Sequence, residues 1–269
     1  MLKKGVSDEL YSVIQKLMNE PLFDDFLLGG GTNLAIKYNH RLSVDIDFFS
    51  TEIVGTKKLN LICEYVINEF GDENVLINKL NFESEQLAWL QINLIKEEIK
   101  IDIIQNLKLI EEKVVIDGIR LINDIDIGAL KLMAAADRGN QKDFYDLYLL
   151  SEKKDLSIYY DALQKRIKDF PDDKDKTIFD IQKDKPLNEL KTSLTPLGNF
   201  NKAGDRRNTG NRIELTMNSP ININWPTIRE LWLAKVKKLS EERGLIFERT
   251  KHVRKNKGFL GLFKIGRTN

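Results

Sequence analysis

The sequence predicts an α/β head with a mixed sheet over residues 1–122, followed by a helical carboxyl-terminal domain. Three observations predict it. Short apolar runs with a period of two alternate with amphipathic stretches of period 3.6 as far as Ile122, and from Asp124 onward only the helical period persists. Polar, glycine-bearing segments separate the runs at the spacing of turns. At 269 residues the chain suits one or two domains, and two are expected.

Leu10, Val13, Ile14 and Leu17 follow helical spacing behind Ser7, Asp8 and Glu9, a helix start. Phe26 to Leu28 reads as a short buried strand, and Gly29, Gly30, Gly31 and Thr32 then turn into a helix over Asn33 to Tyr38. Leu42 to Phe49 alternates as a strand does, and Leu59, Ile62, Cys63, Val66, Ile67 and Phe70 form the inner stripe of the next helix. Strands follow at Leu87 to Ile95 and Ile99 to Ile104, joined by the polar turn Lys96, Glu97 and Glu98. Beyond Val114 to Ile122, helices are predicted over Asp124 to Arg138 and Gln141 to Lys154, in a helical domain taken as 123–194. Residues 195–224 read as a loop or linker, and 225–269 as a further helix from Trp225 and a basic tail.

Composition narrows the function. Hydrophobic residues make up 42% and charged residues 31%, the balance of a globular protein. No apolar run at the amino terminus resembles a signal-peptide core and none elsewhere has membrane-spanning length, so a cytoplasmic protein with no membrane partner is expected. One cysteine, Cys63, forbids an internal disulfide, and with only His40 and His252 a zinc centre is disfavoured. The net charge of +1 conceals an asymmetry: 30 Lys and Arg face 37 Asp and Glu as far as Trp225, whereas the remainder carries 12 against 4. A basic end of this kind suits either a nucleic-acid contact or a solvated extension.

Arg41, Ser43, Asp45 and Asp47 alternate with Leu42, Val44, Ile46 and Phe48, so both carboxylates project to one side. Two acids at that spacing on a rigid strand suit a pair of hard cations, two magnesium ions or manganese in their place, and Asp102 in Lys-Ile-Asp-Ile-Ile is the third ligand expected from a neighbouring strand. The pair alone equally fits the solvated face of an amphipathic strand. The glycine turn shifts the balance, because the amides of Gly30, Gly31 and Thr32 at a helix start, with the threonine hydroxyl, are suited to a triphosphate. Together they suit attack of a hydroxyl on the α-phosphate of a nucleoside triphosphate, with pyrophosphate leaving. Asp45 and Asp47 would hold the metals. Asp102 would bind the metal nearest the nucleophile and take its proton.

Leu-Gly-Gly-Gly-Thr-Asn-Leu-Ala-Ile from Leu28, followed by His-Arg-Leu-Ser-Val-Asp-Ile-Asp-Phe-Phe from His40, resembles the AbiEii/AbiGii-type nucleotidyltransferase toxins, a branch of the polymerase-β-like superfamily. Lys131, Arg138, Lys142, Asp143 and Asp146 resemble the family's second signature. The resemblance covers roughly residues 7–155 with specific motifs, and the tail from Arg249 matches nothing in it. It implies that Lys131 and Arg138 approach the triphosphate, while Lys142, Asp143 and Asp146 support the pocket. Without it, Lys131 and Arg138 read as solvated helix residues and Asp143 with Asp146 as an exposed helix edge. Arg41 and Ser43 fit the family strand, Arg41 either touching a phosphate or orienting the aspartates. The resemblance further implies a type IV toxin–antitoxin or abortive-infection system with a separately encoded antitoxin, and an RNA acceptor, transfer RNA foremost. Arg249, Lys251, Arg254, Lys255 and Lys257, interleaved with Phe247 and Phe259, suit RNA phosphates and bases. The rival readings are nucleotide transfer to a protein hydroxyl, an idle nucleotide-binding fold and, more distantly, a two-metal nuclease.

Overall fold

A computed structural model describes residues 5–180, 188–200 and 213–249. Helix α1 (Asp8–Asn19) begins where the Ser7 hydroxyl accepts the Leu10 amide, and it buries Leu10, Val13, Ile14 and Leu17. Strand β1 (Phe26–Leu28) runs into α2 (Gly30–Tyr38), β2 (Asp45–Ser50) and α3 (Gly55–Phe70). Strands β3 (Val75–Leu80), β4 (Trp89–Leu94) and β5 (Ile99–Ile104) form a meander, and β6 (Val114–Ile116) and β7 (Ile119–Leu121) a tight hairpin. Asp117 and Gly118 at its tip both have positive φ, the geometry of a two-residue turn that matches strand twist. Among the described residues the α-helices that follow are α4 (Asp124–Arg138), α5 (Gln141–Lys153), α6 (Leu156–Asp169) and α7 (Trp225–Arg243).

The seven strands lie in the order β3-β4-β5-β2-β1-β7-β6. The β5–β2 and β1–β7 pairs are parallel and the others antiparallel, so the sheet is mixed. Alternation sorts its side chains between two layers. Phe26, Leu28, Ile46, Phe48, Ile101 and Ile103 meet α1 and α3 in one core. Leu27, Phe49 and Ile104 face the other way and share a second core with α4, α5, α6 and α7. Asp45 and Asp47 follow the parity of Phe49, and Asp102 that of Ile104. All three therefore belong to the face that the later helices cover.

Four features differ from the sequence reading. Strand β2 starts at Asp45, not Leu42. Ahead of it the expected faces are inverted: Arg41 and Ser43 are buried, while Leu42 and Val44 are 40% and 56% exposed. The cause is the ion pair that Arg41 finds inside the molecule. Strand β3 went unrecognised, because an edge strand with one solvated face and Asn78 and Lys79 within it lacks an apolar signature. One core crosses the boundary expected at residue 122.

The fourth concerns 195–224, read as a loop or linker: its described part holds a 3-10 turn at Thr195–Gly198 and packs on the body of the protein. Pro196 and Leu197 are buried, and 213–221 is strapped onto the loop before β2. There Leu42 N donates to Glu214 O at 2.8 Å, Ser219 Oγ to His40 O at 2.7 Å and the Tyr145 hydroxyl to Ile221 O at 2.6 Å. In the tail, Arg249 pairs with Glu230 at 2.7 Å and Phe247 packs on the second core. Lys251, His252, Arg254, Lys255, Lys257 and Phe259 lie outside the described residues. Among the described residues no helix is long and apolar enough to cross a membrane.

Helix α4 meets α6 at Gly128, where an added Cβ would lie 2.1 Å from Cδ1 of Tyr159, a ring anchored by its hydroxyl on Leu150 O at 2.9 Å. Gly128→Ala is expected to destabilise the protein by about 1–3 kcal/mol through overpacking, despite the roughly 1 kcal/mol that alanine gains in a helix. Urea unfolding checks this, with a lower midpoint expected.

Candidate active site

Parallel pairing of β2 with β5 sets Asp47 beside Asp102 and Asp45 beside Lys100. Asp47 is half-buried, and burial together with the Asp102 and Asp45 carboxylates pushes it up to about 6, with Lys131 and Lys100 pulling the other way. Three carboxylates thus share one region of field, an arrangement that a cation would relieve. Asp102 carries an ammonium: Lys100 Nζ stands 2.6 Å from its Oδ2, and Gln91 Nε2 lies 3.5 Å from Oδ1. Among the described residues no three His, Cys, Asp or Glu side chains form a cluster that could hold a metal ion. Carboxylate oxygens are the donors that hard divalent cations prefer.

The glycine turn is pressed against these groups. Gly29 N donates to Asp47 O at 2.8 Å. A Cβ on Gly30, whose φ is +63°, would stand 1.8 Å from Asp47 Oδ2, and one on Gly31 would stand 2.2 Å from Arg41 Nη2. These glycines therefore give the β2 side chains room to lie against the start of α2, a requirement separate from phosphate binding. Both remain half-exposed at the helix start, where the first amides have no intrahelical acceptor. Thr32 differs from expectation. It is 1% exposed, and its hydroxyl donates to the Asp45 carbonyl with Ser43 Oγ 2.9 Å away, so it ties α2 to β2 and faces away from solvent.

The residues of the second motif meet the first in a buried charge cluster. Asp146 receives Arg41 Nε and Nη2 at 2.7 and 2.8 Å, His40 Nε2 at 2.7 Å and Lys131 Nζ at 2.8 Å. Asp143 receives Lys131 Nζ at 2.9 Å and Arg138 Nε at 2.6 Å. Both carboxylates are 0% exposed, which overturns the exposed-edge reading. Burial alone would raise them, yet Lys131 and Arg138 bring Asp143 down to about 2, and Arg41 and Lys131 hold Asp146 well below its usual range. His40 is buried, and burial pushes its pKa down, so it is neutral. It donates Nε2–H to Asp146, stacks on Tyr145 and leaves Nδ1 without a partner among the described residues. Three cations against two carboxylates leave one net positive charge behind Asp47.

Arg41 is thus a brace between the loop before β2 and α5, and it is closed to direct phosphate contact by its two bonds to Asp146. Lys131 is likewise buried and committed to both aspartates. Arg138 keeps 53% of its side chain exposed. Lys142 is half-buried and has no hydrogen-bond partner among the described residues; burial, then Arg41, lowers its pKa while Asp45 raises it. Lys142 and Arg138 are accordingly the motif cations with access to an anion. Sequence reasoning missed His40, Lys100 and Gln91 as site residues. Lys100 had a signal, since i and i+2 on one strand share a face; Gln91 reaches Asp102 only through the β4–β5 register.

Residues 12–220 match the family model described as nucleotidyl transferase AbiEii toxin, type IV TA system. A protein of Aquifex aeolicus described as uncharacterized is 31% identical over 152 residues, 56% of this chain and 69% of its own length. Among solved structures, JHP933 from Helicobacter pylori is 18% identical with a TM-score of 0.40, the match covering 89% of this chain and 98% of that one. MenT4, a nucleotidyltransferase toxin from Mycobacterium tuberculosis, is 14% identical with a TM-score of 0.44 over 88% of each chain.

Removing the Asp146 charge leaves buried cations uncompensated, so Asp146→Asn is expected to lower unfolding stability by about 3–5 kcal/mol at neutral pH. The pH dependence has a definite sign. Depressed carboxylates stabilise the fold above their unfolded pKa, and the contribution is lost as pH falls through the folded value. For Asp143 that window runs from its ordinary value of 3.8 down to about 2. Urea titrations from neutral to acid pH should show the loss in the parent protein and a smaller one in Asp143→Asn.

Proposed function

Because the chain belongs to the AbiEii nucleotidyl transferase toxin family, and is a nucleotidyltransferase, we propose that it transfers a nucleoside monophosphate from a nucleoside triphosphate to RNA, transfer RNA foremost. It works in the cytosol, depends on magnesium or manganese, and is countered by a separately encoded antitoxin in a type IV system. The observation that carries this reading is the parallel register that sets Asp47 beside Asp102, with Asp45 two residues before Asp47 on the same face of β2, against the half-exposed glycine start of α2. The basic carboxyl end, 12 Lys and Arg against 4 acids, supports a polyanionic acceptor.

In the reaction the acceptor oxygen bonds to the α-phosphorus, the bond to the bridging oxygen breaks, and pyrophosphate leaves. Asp45, Asp47 and Asp102 would hold the metal ions, which when bound lower the pKa of the attacking hydroxyl and neutralise charge on the phosphates. The amides of Gly30 and Gly31 offer donors to phosphate oxygens. Lys142 and Arg138 supply positive charge from the helical layer, and the excess cation of the buried cluster adds to it. Asp102 takes the proton of the attacking hydroxyl. Arg41, His40 and Asp146 fix the loop from which β2, and with it the two aspartates, departs.

The test incubates the protein with magnesium, total transfer RNA and each labelled nucleoside triphosphate in turn, beside an Asp45→Ala, Asp47→Ala control. A labelled RNA band that the control lacks is the expected result. Label on protein instead would establish a protein hydroxyl as acceptor, and absence of label with every nucleotide would leave an idle fold. Lys142→Ala should weaken triphosphate binding about tenfold, the scale of one charge-assisted contact, with an unchanged urea midpoint. Calorimetry with a non-hydrolysable analogue reads the difference.

A further inference from the structure

Two of the aspartates in this molecule are neutralised in opposite ways. Asp146 is fully buried and held by the planar fork of Arg41 at two points, a fixed attachment. Asp102 is held by the single ammonium of Lys100, two residues away on the same face of β5. The Lys100 side chain is 39% exposed and that of Asp102 15%, so the lysine reaches solvent more than the carboxylate it holds does. Lysine is a compact, strongly hydrated charge on a flexible stem, suited to exchange between a carboxylate and water. Its strand position also sets it beside Asp45, the outermost carboxylate of the set.

We propose that Lys100 is the resident counter-ion of the carboxylate site and competes with divalent metal for Asp102, so that metal enters efficiently only together with the triphosphate. This rests on the metal-site reading given above. The charges agree with it. Asp45, Asp47 and Asp102 carry three negative charges and Lys100 returns one. Once Lys100 has left, two divalent ions overcompensate the three carboxylates by one, an excess that the triphosphate neutralises. Lys100, once released, is free to meet phosphate at the mouth of the site. The lysine is thus a positioning residue that sets the order of loading and keeps the free protein from holding metal.

The experiment uses the full chain, stripped with chelator, and follows manganese binding through the electron paramagnetic resonance of free Mn²⁺ at about pH 8, well above the usual carboxylate range. Parent protein, Lys100→Met, Lys100→Arg and the Asp45→Asn, Asp47→Asn control are compared without nucleotide and with a non-hydrolysable triphosphate. Lys100→Met should bind Mn²⁺ about tenfold more tightly than the parent without nucleotide, the effect of one nearby charge in a partly solvated site. Lys100→Arg, whose fork holds a carboxylate more firmly, should bind no more tightly than the parent, and the difference between Lys100→Met and the parent should shrink once the analogue is present. Lys100→Gln serves as the second variant if methionine disturbs the strand. Equal or weaker binding by Lys100→Met, with parent binding abolished in the aspartate control, overturns the role of Lys100 and leaves the metal site standing. No Mn²⁺ on any of the proteins, with or without the analogue, overturns the metal site and the counter-ion together.

Discussion

The buried contact of Arg41 with Asp146 is the constraint on which the rest of the site depends. A guanidinium and a carboxylate removed from water are costly unless each hydrogen bond is made. Here Arg41 makes two bonds to Asp146, while His40 and Lys131 occupy the carboxylate's remaining capacity. The pairing can form only if the loop before β2 turns its polar residues inward, which is why Leu42 and Val44 face solvent. Asp45 and Asp47 follow directly on that loop. Their position is therefore coupled to a residue on α5, about 100 positions later in the chain.

A second constraint acts from the opposite side. The α2 start lies so close to β2 that Gly30 and Gly31 admit no Cβ, and Thr32 fastens the turn to the Asp45 carbonyl. Asp47 thus sits between a backbone that leaves it no room and two neighbouring carboxylates, and its raised pKa follows from that confinement. Crowding of like charges opposes folding, and a neighbouring cation would relieve it.

Much of this was legible in the sequence because it is local. The inner stripes of α1 and α3 follow from period 3.6, and the shared face of Asp45 and Asp47 from period 2; Leu10, Val13, Ile14, Leu17, Leu59, Ile62 and Val66 are all buried. The neighbour relation of Asp102 was inferred from one charge in an apolar strand, and the parallel register places it beside Asp47. What escaped is long-range. Nothing in residues 39–44 announces that their polar face points inward, because the partner lies on α5. Nothing in 213–221 announces a strap, because its donors pair with carbonyls that a sequence does not display. The glycines were legible as a turn, while the reason for three in succession, the side chains of Asp47, Arg41 and Phe49 against them, emerges only in three dimensions.

The claim that the Arg41–Asp146 contact holds strand β2 in place is tested most directly by a double-mutant cycle on Arg41→Met and Asp146→Asn, read in both unfolding stability and nucleotide transfer. The double variant is expected to lie closer to each single variant than additivity allows, by at least about 1.5 kcal/mol in stability and with a parallel non-additivity in rate. Additive effects in both would contradict it, and would mean that β2 is positioned by the sheet and the glycine turn alone.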